Sequence, residues 1–122
     1  MPPPVDIAPG QVWWCDGAAL SFETHFKRRP VLVLAFLEED DALLVAPLSS
    51  KRRHGEEQAV THAKGVSYLT GAAVPVPPAA LLTPMGAWDG FADWRDEQAR
   101  AAEAAARARN WLARLRNWWR SQ

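Results

Sequence analysis

The sequence is poor in cysteine, with Cys15 as the one thiol among 122 residues. A single cysteine excludes an internal disulfide framework and a zinc site built from several cysteines. We expect Cys15 to be a small buried apolar residue. No spacing of His, Cys, Asp and Glu resembles a set of metal ligands, so we expect neither a metal nor another cofactor. So few thiols are typical of a reducing compartment, and the predicted location is the cytoplasm.

Long apolar stretches are also missing. The longest run covers residues 30–37, whereas a helix needs about 20 predominantly apolar residues to cross a bilayer. Met1 is followed by three prolines and not by a basic segment and an apolar one, which differs from the pattern of a secretory signal. We therefore expect no membrane partner.

The chain has no excess of charge of either sign, since 14 basic side chains balance 14 acidic ones. The two parts of the chain nevertheless have opposite net charges. Residues 1–94 hold 7 basic and 11 acidic side chains, a net charge of −4, and residues 95–122 hold 7 and 3, a net charge of +4. Because a polyanion responds to the local arrangement of charge, the net value excludes no class of partner.

Short apolar segments separated by glycine and proline fill residues 10–94. The clearest lie at 11–15, 30–37 and 42–48, and weaker ones lie at 59–62, 66–69, 72–76 and 80–85. Many short strands with this punctuation predict a mainly β domain, a small antiparallel barrel or sandwich. Residues 1–9 contain four prolines, and we expect them to form a flexible arm.

Residues 95–122 are rich in alanine, arginine and tryptophan. Alanine and arginine favour helix, and acidic residues early with arginines late suit the helix dipole, so we predict a long helix over 95–120 with Asp93 as its N-cap. Trp111, Leu115 and Trp118 share one face of this helix. Three interpretations of that face stay open: packing against the barrel or a second subunit, docking on RNA, and lying at a membrane surface.

Two basic triplets flank the predicted hairpin of residues 31–48. Residues 27–29 precede its first strand, and residues 51–53 follow its second. An antiparallel hairpin starts and finishes at the same end, so the triplets should lie close together, with the acidic turn of residues 38–41 about 23 Å away at ~3.3 Å per residue. This cationic edge suits a phosphate backbone, although such charges also keep strand edges soluble.

Three segments stand in register along this domain: Gly10-Gln11-Val12-Trp13-Trp14, Arg28-Arg29-Pro30-Val31-Leu32-Val33-Leu34 and Ala46-Pro47-Leu48-Ser49-Ser50. In order and spacing they resemble the Gly-Asp-x-x-Trp, x-Arg-Pro-x-x-Val-Leu and Pro-x-Thr/Ser-Ser/Thr segments of the MazF/PemK family of toxin endoribonucleases, from type II toxin–antitoxin systems. The resemblance covers about residues 8–94. It implies an SH3-like barrel, a homodimer that cleaves single-stranded RNA without a metal, and a cognate antitoxin that occupies the same groove.

Three places differ from the family pattern. Gln11 stands where the family often has Asp, residues 21–25 stand where its first loop often has a Gly-Ser-Glu-Gln-like stretch, and Leu81-Leu82 stands where it has an Asp-Gln pair. The missing Asp-Gln pair removes two polar groups. The alternative function is therefore a non-catalytic SH3-like barrel that binds nucleic acid or a protein partner. A third is an interaction protein that acts through its Trp/Arg helix.

The resemblance implies that Arg29 is the catalytic arginine and that Ser49 orients the phosphate. A guanidinium offers paired donors that match phosphate, which suits stabilisation of a phosphorane charge. Other roles stay open at both positions. Arg29 could instead form a strand-end salt bridge to Glu23 or Asp16, and Ser49 could bond its own turn.

Further residues complete the predicted site. Glu23, His25 and Ser50 are candidates for catalytic support, since a nearby acid or base can move a proton. The predicted RNA-binding residues are Lys27, Arg28, Lys51, Arg52, Arg53 and His54. His62 falls in a predicted strand, and we expect it to be structural.

Overall fold

The computed structural model describes residues 7–20, 27–52 and 55–121. It has two compact units, Met1–Asp89 and Gly90–Gln122. The boundary between them falls five residues before the 94/95 boundary that the change of composition predicts. Glu23, His25, Arg53 and His54 lie outside the described residues.

The first unit is built from short strands. Within its described part these are β1 (Gln11–Cys15), β2 (Arg29–Leu37), β3 (Ala42–Ser49), β4 (Ala59–His62), β5 (Gly65–Leu69), β6 (Val74–Val76) and β7 (Leu81–Ala87). Short 3-10 turns lie at Gly17–Ala19, Glu38–Asp40 and Pro78–Ala80. The strand bounds agree with the predicted segments to within two residues at each end.

The strands form one antiparallel sheet in the order β4-β5-β3-β2-β1-β7, with β6 also pairing with β3. The sheet curls, so that the turn after β4 approaches β7. There the Ala63 N–H donates to the Met85 carbonyl over 2.8 Å. The prediction of a mainly β protein, with a small SH3-like antiparallel barrel and a long C-terminal helix, is confirmed as a curled half-barrel sheet followed by one long helix.

The predicted hairpin is formed by β2 and β3. Val31 lies opposite Pro47 and Val33 opposite Val45, and a bulge shifts the register between Val33 and Ala35. The acidic turn Glu38–Asp40 joins the two strands. The acidic turn and the first residue of β2 therefore lie at opposite ends of the hairpin, as the charge pattern predicts.

One core cluster of the half-barrel contains alternate residues of neighbouring strands, and Val12, Leu32 and Leu48 of the same strands are also fully buried, so these strands are covered on both faces. Trp13 and Cys15 come from β1, Val31 and Val33 from β2, and Leu43 and Val45 from β3. Cys15 is fully buried. Burial, with a smaller contribution from the charge of Asp16, raises the pKa of the Cys15 thiol to about 11. Cys15 is thus the neutral, buried apolar residue that was expected.

The second unit contains helix α1 (Phe91–Arg120), whose 30 residues span about 45 Å at 1.5 Å per residue. The prediction that Asp93 is the N-cap is wrong, because Asp93 lies inside the first turn and Gly90 precedes the helix. The Trp94 N–H already donates to the Gly90 carbonyl over 3.0 Å. The rings of Phe91 and Trp94 also lie 6.2 Å apart, which adds a side-chain contact on this turn.

Helix α1 exposes its large apolar side chains. Trp111, Leu112, Leu115, Trp118 and Trp119 are between 44% and 74% exposed. In the described part of the chain, no helix combines the length and the apolar character needed to cross a membrane. The three interpretations of the Trp111–Trp118 face stay predictions.

Truncation of a buried leucine and of an exposed leucine should change the free energy of unfolding by different amounts. Leu43 is 1% exposed, whereas Leu112 on α1 is 52% exposed. Leu43→Ala should lower the free energy of unfolding by about 3 kcal/mol, because it removes buried methyl groups and leaves a cavity. Leu112→Ala should change it by less than about 0.5 kcal/mol. Urea unfolding of both variants measures this, and equal losses would contradict the assignment of the core.

Candidate functional site

The β2–β3 hairpin brings Arg29 and Ser49 to one end of the sheet. Arg29 is the first residue of β2, and Ser49 is the last residue of β3. The β2–β3 pairing reaches Val31 opposite Pro47, two residues short of Arg29 and Ser49, and Ser49 itself pairs with Tyr68 of β5. Arg29 pairs with Cys15 of β1. Two of the predicted site residues are thus positioned by backbone pairing.

A groove of about 400 Å³ lies at this end of the hairpin. Five of the predicted site residues line it: Lys27, Arg28, Arg29, Ser49 and Ser50. Its volume falls within the range of about 300–1,000 Å³ that ligand sites usually have. The groove therefore brings together the two predicted catalytic residues, two predicted RNA-binding residues and one predicted support residue.

Positive charge dominates the described lining of the groove. Lys27, Arg28 and Arg29 approach it from the start of β2, and Lys64 approaches from the turn between β4 and β5. No acidic side chain is among the lining residues in the described ranges. A concave surface with charge of one sign concentrates counter-ions, so this groove attracts anions.

The Ser49 hydroxyl has a defined local partner. Its Oγ accepts the backbone N–H of Lys51 over 3.2 Å, which is the turn-type bond considered as an alternative role. A hydroxyl that accepts one bond keeps its own hydrogen for donation. The turn bond and a bond to phosphate are therefore compatible.

His62 lines the groove, whereas its position in a predicted strand indicated only a structural role. Its Nδ1 accepts the Lys64 N–H over 3.2 Å, and its Nε2 lies 2.9 Å from Ser67 Oγ. Because Nδ1 is an acceptor, the proton of the neutral ring is assigned to Nε2, which donates to Ser67. Burial lowers the pKa of His62 below its ordinary value of 6.5. His62 is therefore a neutral, oriented side chain in the groove wall.

Lys64 and Ser67 are groove residues that the sequence analysis missed. They belong to the β4–β5 hairpin, in which His62 pairs with Gly65 and Val60 pairs with Ser67. The sequence offered one indication of Lys64: it is the one Lys or Arg of residues 1–94 that lies outside the two triplets. Its approach to Arg29 depends on the curl of the sheet, which no local pattern encodes.

Other predicted residues are not in the groove lining. Lys51 and Arg52 are exposed at the end of β3, and the Arg52 guanidinium lies 4.7 Å from the centre of the Tyr68 ring. Tyr68 pairs with Ser49 across β5 and β3, so Arg52 stays at the same edge of the sheet. The positions of Glu23, His25, Arg53 and His54 are outside the described residues.

Two of the places that differ from the family pattern, Gln11 and Leu81-Leu82, bring no polar group to the described groove lining. Gln11 Oε1 accepts the Trp13 Nε1–H and the Ala8 N–H, each over 2.9 Å. Leu81 is buried in the core, and Leu82 is exposed. Their side chains have packing and local bonding roles in this chain.

Comparison with known proteins gives no match: no family model, no curated protein and no solved structure is similar enough to count as a relative. The resemblance to the MazF/PemK family therefore stays a prediction from the three segments. Within residues 7–20, 27–52 and 55–121, no group of three or more His, Cys, Asp and Glu side chains is placed to hold a metal ion.

His62 predicts a pH dependence of stability. The unfolded chain binds a proton at this ring more readily than the folded chain, because burial lowers the pKa in the folded state. The contribution of neutral His62 is fully present above pH 6.5 and is lost as the pH falls through the lower folded-state pKa. Urea unfolding at about pH 7.5 and about pH 5 should show a smaller loss of stability in His62→Gln than in the wild type.

An NMR titration of the histidine rings provides the direct check. The His62 ring should titrate below pH 6.5, with the Nε2–H tautomer above its midpoint. A midpoint above 6.5, or the Nδ1–H tautomer, would contradict the bonding assigned to Lys64 and Ser67.

Proposed function

We propose that this protein is an endoribonuclease that cleaves single-stranded RNA through attack of the 2′-hydroxyl on the adjacent phosphate. The observation that supports this function is the meeting of Arg29 and Ser49 in one cationic groove with Lys27, Arg28 and Ser50. Both residues lie at the same end of the β2–β3 hairpin, because Arg29 begins β2 and Ser49 ends β3. The resemblance to the MazF/PemK family supports the same reaction.

In the proposed reaction, the 2′-oxygen forms a bond to phosphorus as the bond to the 5′-oxygen breaks. The products are a 2′,3′-cyclic phosphate and a 5′-hydroxyl. The proton of the 2′-hydroxyl leaves to a base, and the departing 5′-oxygen gains a proton. The nucleophile belongs to the substrate itself, so the reaction does not require a metal-bound hydroxide.

Arg29 stabilises the charge that develops on the phosphorane oxygens, because a guanidinium donates two parallel hydrogen bonds to such oxygens. The resemblance also gives Arg29 a part in proton transfer. Ser49 donates its hydroxyl hydrogen to a phosphate oxygen, while its Oγ stays bonded to the Lys51 N–H. Glu23, His25 and Ser50 are the proposed supporting residues.

The remaining cations hold the RNA backbone in this proposal. Lys27 and Arg28 line the groove, and Lys51, Arg52, Arg53 and His54 follow β3 along the chain. Each contact to a phosphate releases condensed counter-ions, so RNA affinity should fall steeply as salt rises. These contacts locate the strand without reading its bases.

The proposal extends to the biological setting that the resemblance implies. The protein would be a homodimeric cytoplasmic toxin that inhibits growth and is neutralised by a cognate antitoxin. The cationic groove suits an acidic antitoxin segment that competes with RNA. The exposed apolar face of α1 supports a protein partner, since large exposed patches mark interaction surfaces.

A non-catalytic nucleic-acid-binding barrel is the second candidate. One observation favours it: Gln11, Leu81 and Leu82 are not among the described lining residues of the groove, so these positions contribute no polar group there. Binding would need the same cations but neither the Arg29 guanidinium geometry nor the Ser49 hydroxyl. An assay of RNA cleavage therefore distinguishes the nuclease from the binding barrel.

The proposal predicts cleavage in EDTA. The wild-type protein should cut a single-stranded RNA to 2′,3′-cyclic phosphate and 5′-hydroxyl ends, and should leave DNA of the same sequence intact because DNA lacks the nucleophile. Arg29→Ala should lower the rate at least about 100-fold, the usual loss for one donor to a transition-state oxyanion. Ser49→Ala should lower it about 10- to 100-fold, since a hydrogen bond to a charged group is lost.

The matched control is Lys51→Ala, which removes a cation outside the groove lining. It should weaken RNA binding and keep most of the cleavage rate at saturating RNA. If a folded Arg29→Ala variant cleaves RNA at the wild-type rate, the proposal that Arg29 acts in an endoribonuclease site is wrong. Salt-sensitive RNA binding without cutting by the wild type would establish the binding barrel instead.

A further inference from the structure

The β4–β5 hairpin contributes a second set of polar groups to the groove wall. His62, Lys64 and Ser67 line the groove together with Arg29 and Ser49. The proposed cleavage step makes no use of these three residues. Their arrangement nevertheless repeats the chemistry of the Arg29–Ser49 pair, with one cation and one serine hydroxyl.

Ser67 is the clearest member of this set, because it is a polar residue with only 4% of its surface exposed. A buried hydroxyl needs hydrogen-bond partners. Its Oγ accepts the His62 Nε2–H over 2.9 Å in the tautomer assigned above. The hydroxyl hydrogen stays available for an acceptor in the groove, as it does in Ser49.

His62 holds this arrangement in place. Its Nδ1 is bonded to the Lys64 N–H over 3.2 Å, so one ring connects the backbone of Lys64 to the side chain of Ser67. The Lys64 side chain is exposed at the turn and lines the groove. The ring therefore sets the relative position of a cation and a hydroxyl donor.

Lys64 also brings a cation to the groove from a different part of the sheet. It lies in the turn between β4 and β5, whereas Lys27 and Arg28 precede β2. Cations from two separate segments can each contact a different phosphate of one RNA strand.

We propose that Lys64 and Ser67, positioned by His62, form a second phosphate subsite that holds the RNA phosphate next to the scissile one. This inference rests on the proposed function for the identity of the first phosphate. Lys64 contributes the charge, Ser67 donates its hydroxyl hydrogen to a phosphate oxygen, and His62 acts as a positioning residue. The smallest substrate that fills the groove then has two consecutive phosphates.

The test compares two uncleavable ligands, a 2′-O-methyl dinucleotide with one phosphate and a 2′-O-methyl trinucleotide with two. Methylation blocks the nucleophile, so binding is measured without turnover. In the wild type, calorimetry should show about tenfold tighter binding of the trinucleotide, as one additional charge-assisted hydrogen bond provides. In Lys64→Gln and Ser67→Ala this gain should fall to about twofold or less.

Two matched variants separate the subsite from general electrostatics. Arg109→Gln removes one positive charge from an exposed position on α1 and should keep the tenfold gain, and Lys64→Arg should keep most of it. Lys64 is exposed, so its variants are expected to fold even where Ser67→Ala does not. A full gain in Lys64→Gln, or no gain in the wild type, overturns the subsite.

An NMR readout tests the role of His62. A phosphate held beside the ring favours the charged imidazolium, so the trinucleotide should raise the pKa of His62 more than the dinucleotide does. Equal effects of the two ligands would overturn the placement of the second phosphate. If the wild type binds both ligands with the expected gain and leaves unmodified RNA uncut, the nuclease proposal fails and the subsite stands as part of a binding groove.

Discussion

The pairing of β2 with β3 is the constraint on which the candidate site depends. Backbone pairing sets Val31 opposite Pro47, next to the end of the hairpin where Arg29 begins β2 and Ser49 ends β3. A slip of one residue would remove Val31 and Val33 from the core cluster and would change the position of Arg29 relative to Ser49. The buried valines therefore stabilise the geometry of the groove as well as the fold.

This end of the hairpin concentrates positive charge. Four cations line one groove, and no described lining residue is acidic, so the described part of this surface favours anions. Lys27, Arg28 and Lys64 are exposed, whereas Arg29 is partly buried. The acidic turn Glu38–Asp40 lies at the far end of the same hairpin.

Much of the fold could be predicted because its signals are local. Strands β1 to β4 follow from apolar runs and turns, and the long helix follows from an Ala/Arg-rich segment. The location of Arg29 and Ser49 at the same end of the hairpin was also predictable, since an antiparallel hairpin starts and finishes at one end. The predicted N-cap of α1 was wrong. Asp93 is of a residue type that often caps helices, but the Gly90 carbonyl accepts the first helical hydrogen bond. Only a structural role was predicted for His62, because the sequence around a histidine in a strand does not show which side chains of other strands lie next to it.

The sequence by itself determined the two-part organisation and the cationic edge of the hairpin, where β2 begins at Arg29 and β3 ends at Ser49. These depend on residue type and on contacts between neighbouring strands. The tertiary structure decided that β5 pairs with β3 and that the turn after β4 approaches β7. Those contacts join strands that are distant along the chain, and they bring His62, Lys64 and Ser67 into the groove. The physical reason is that a curled sheet buries its apolar face by closing on itself, and the pattern of any single strand does not specify which strands then meet.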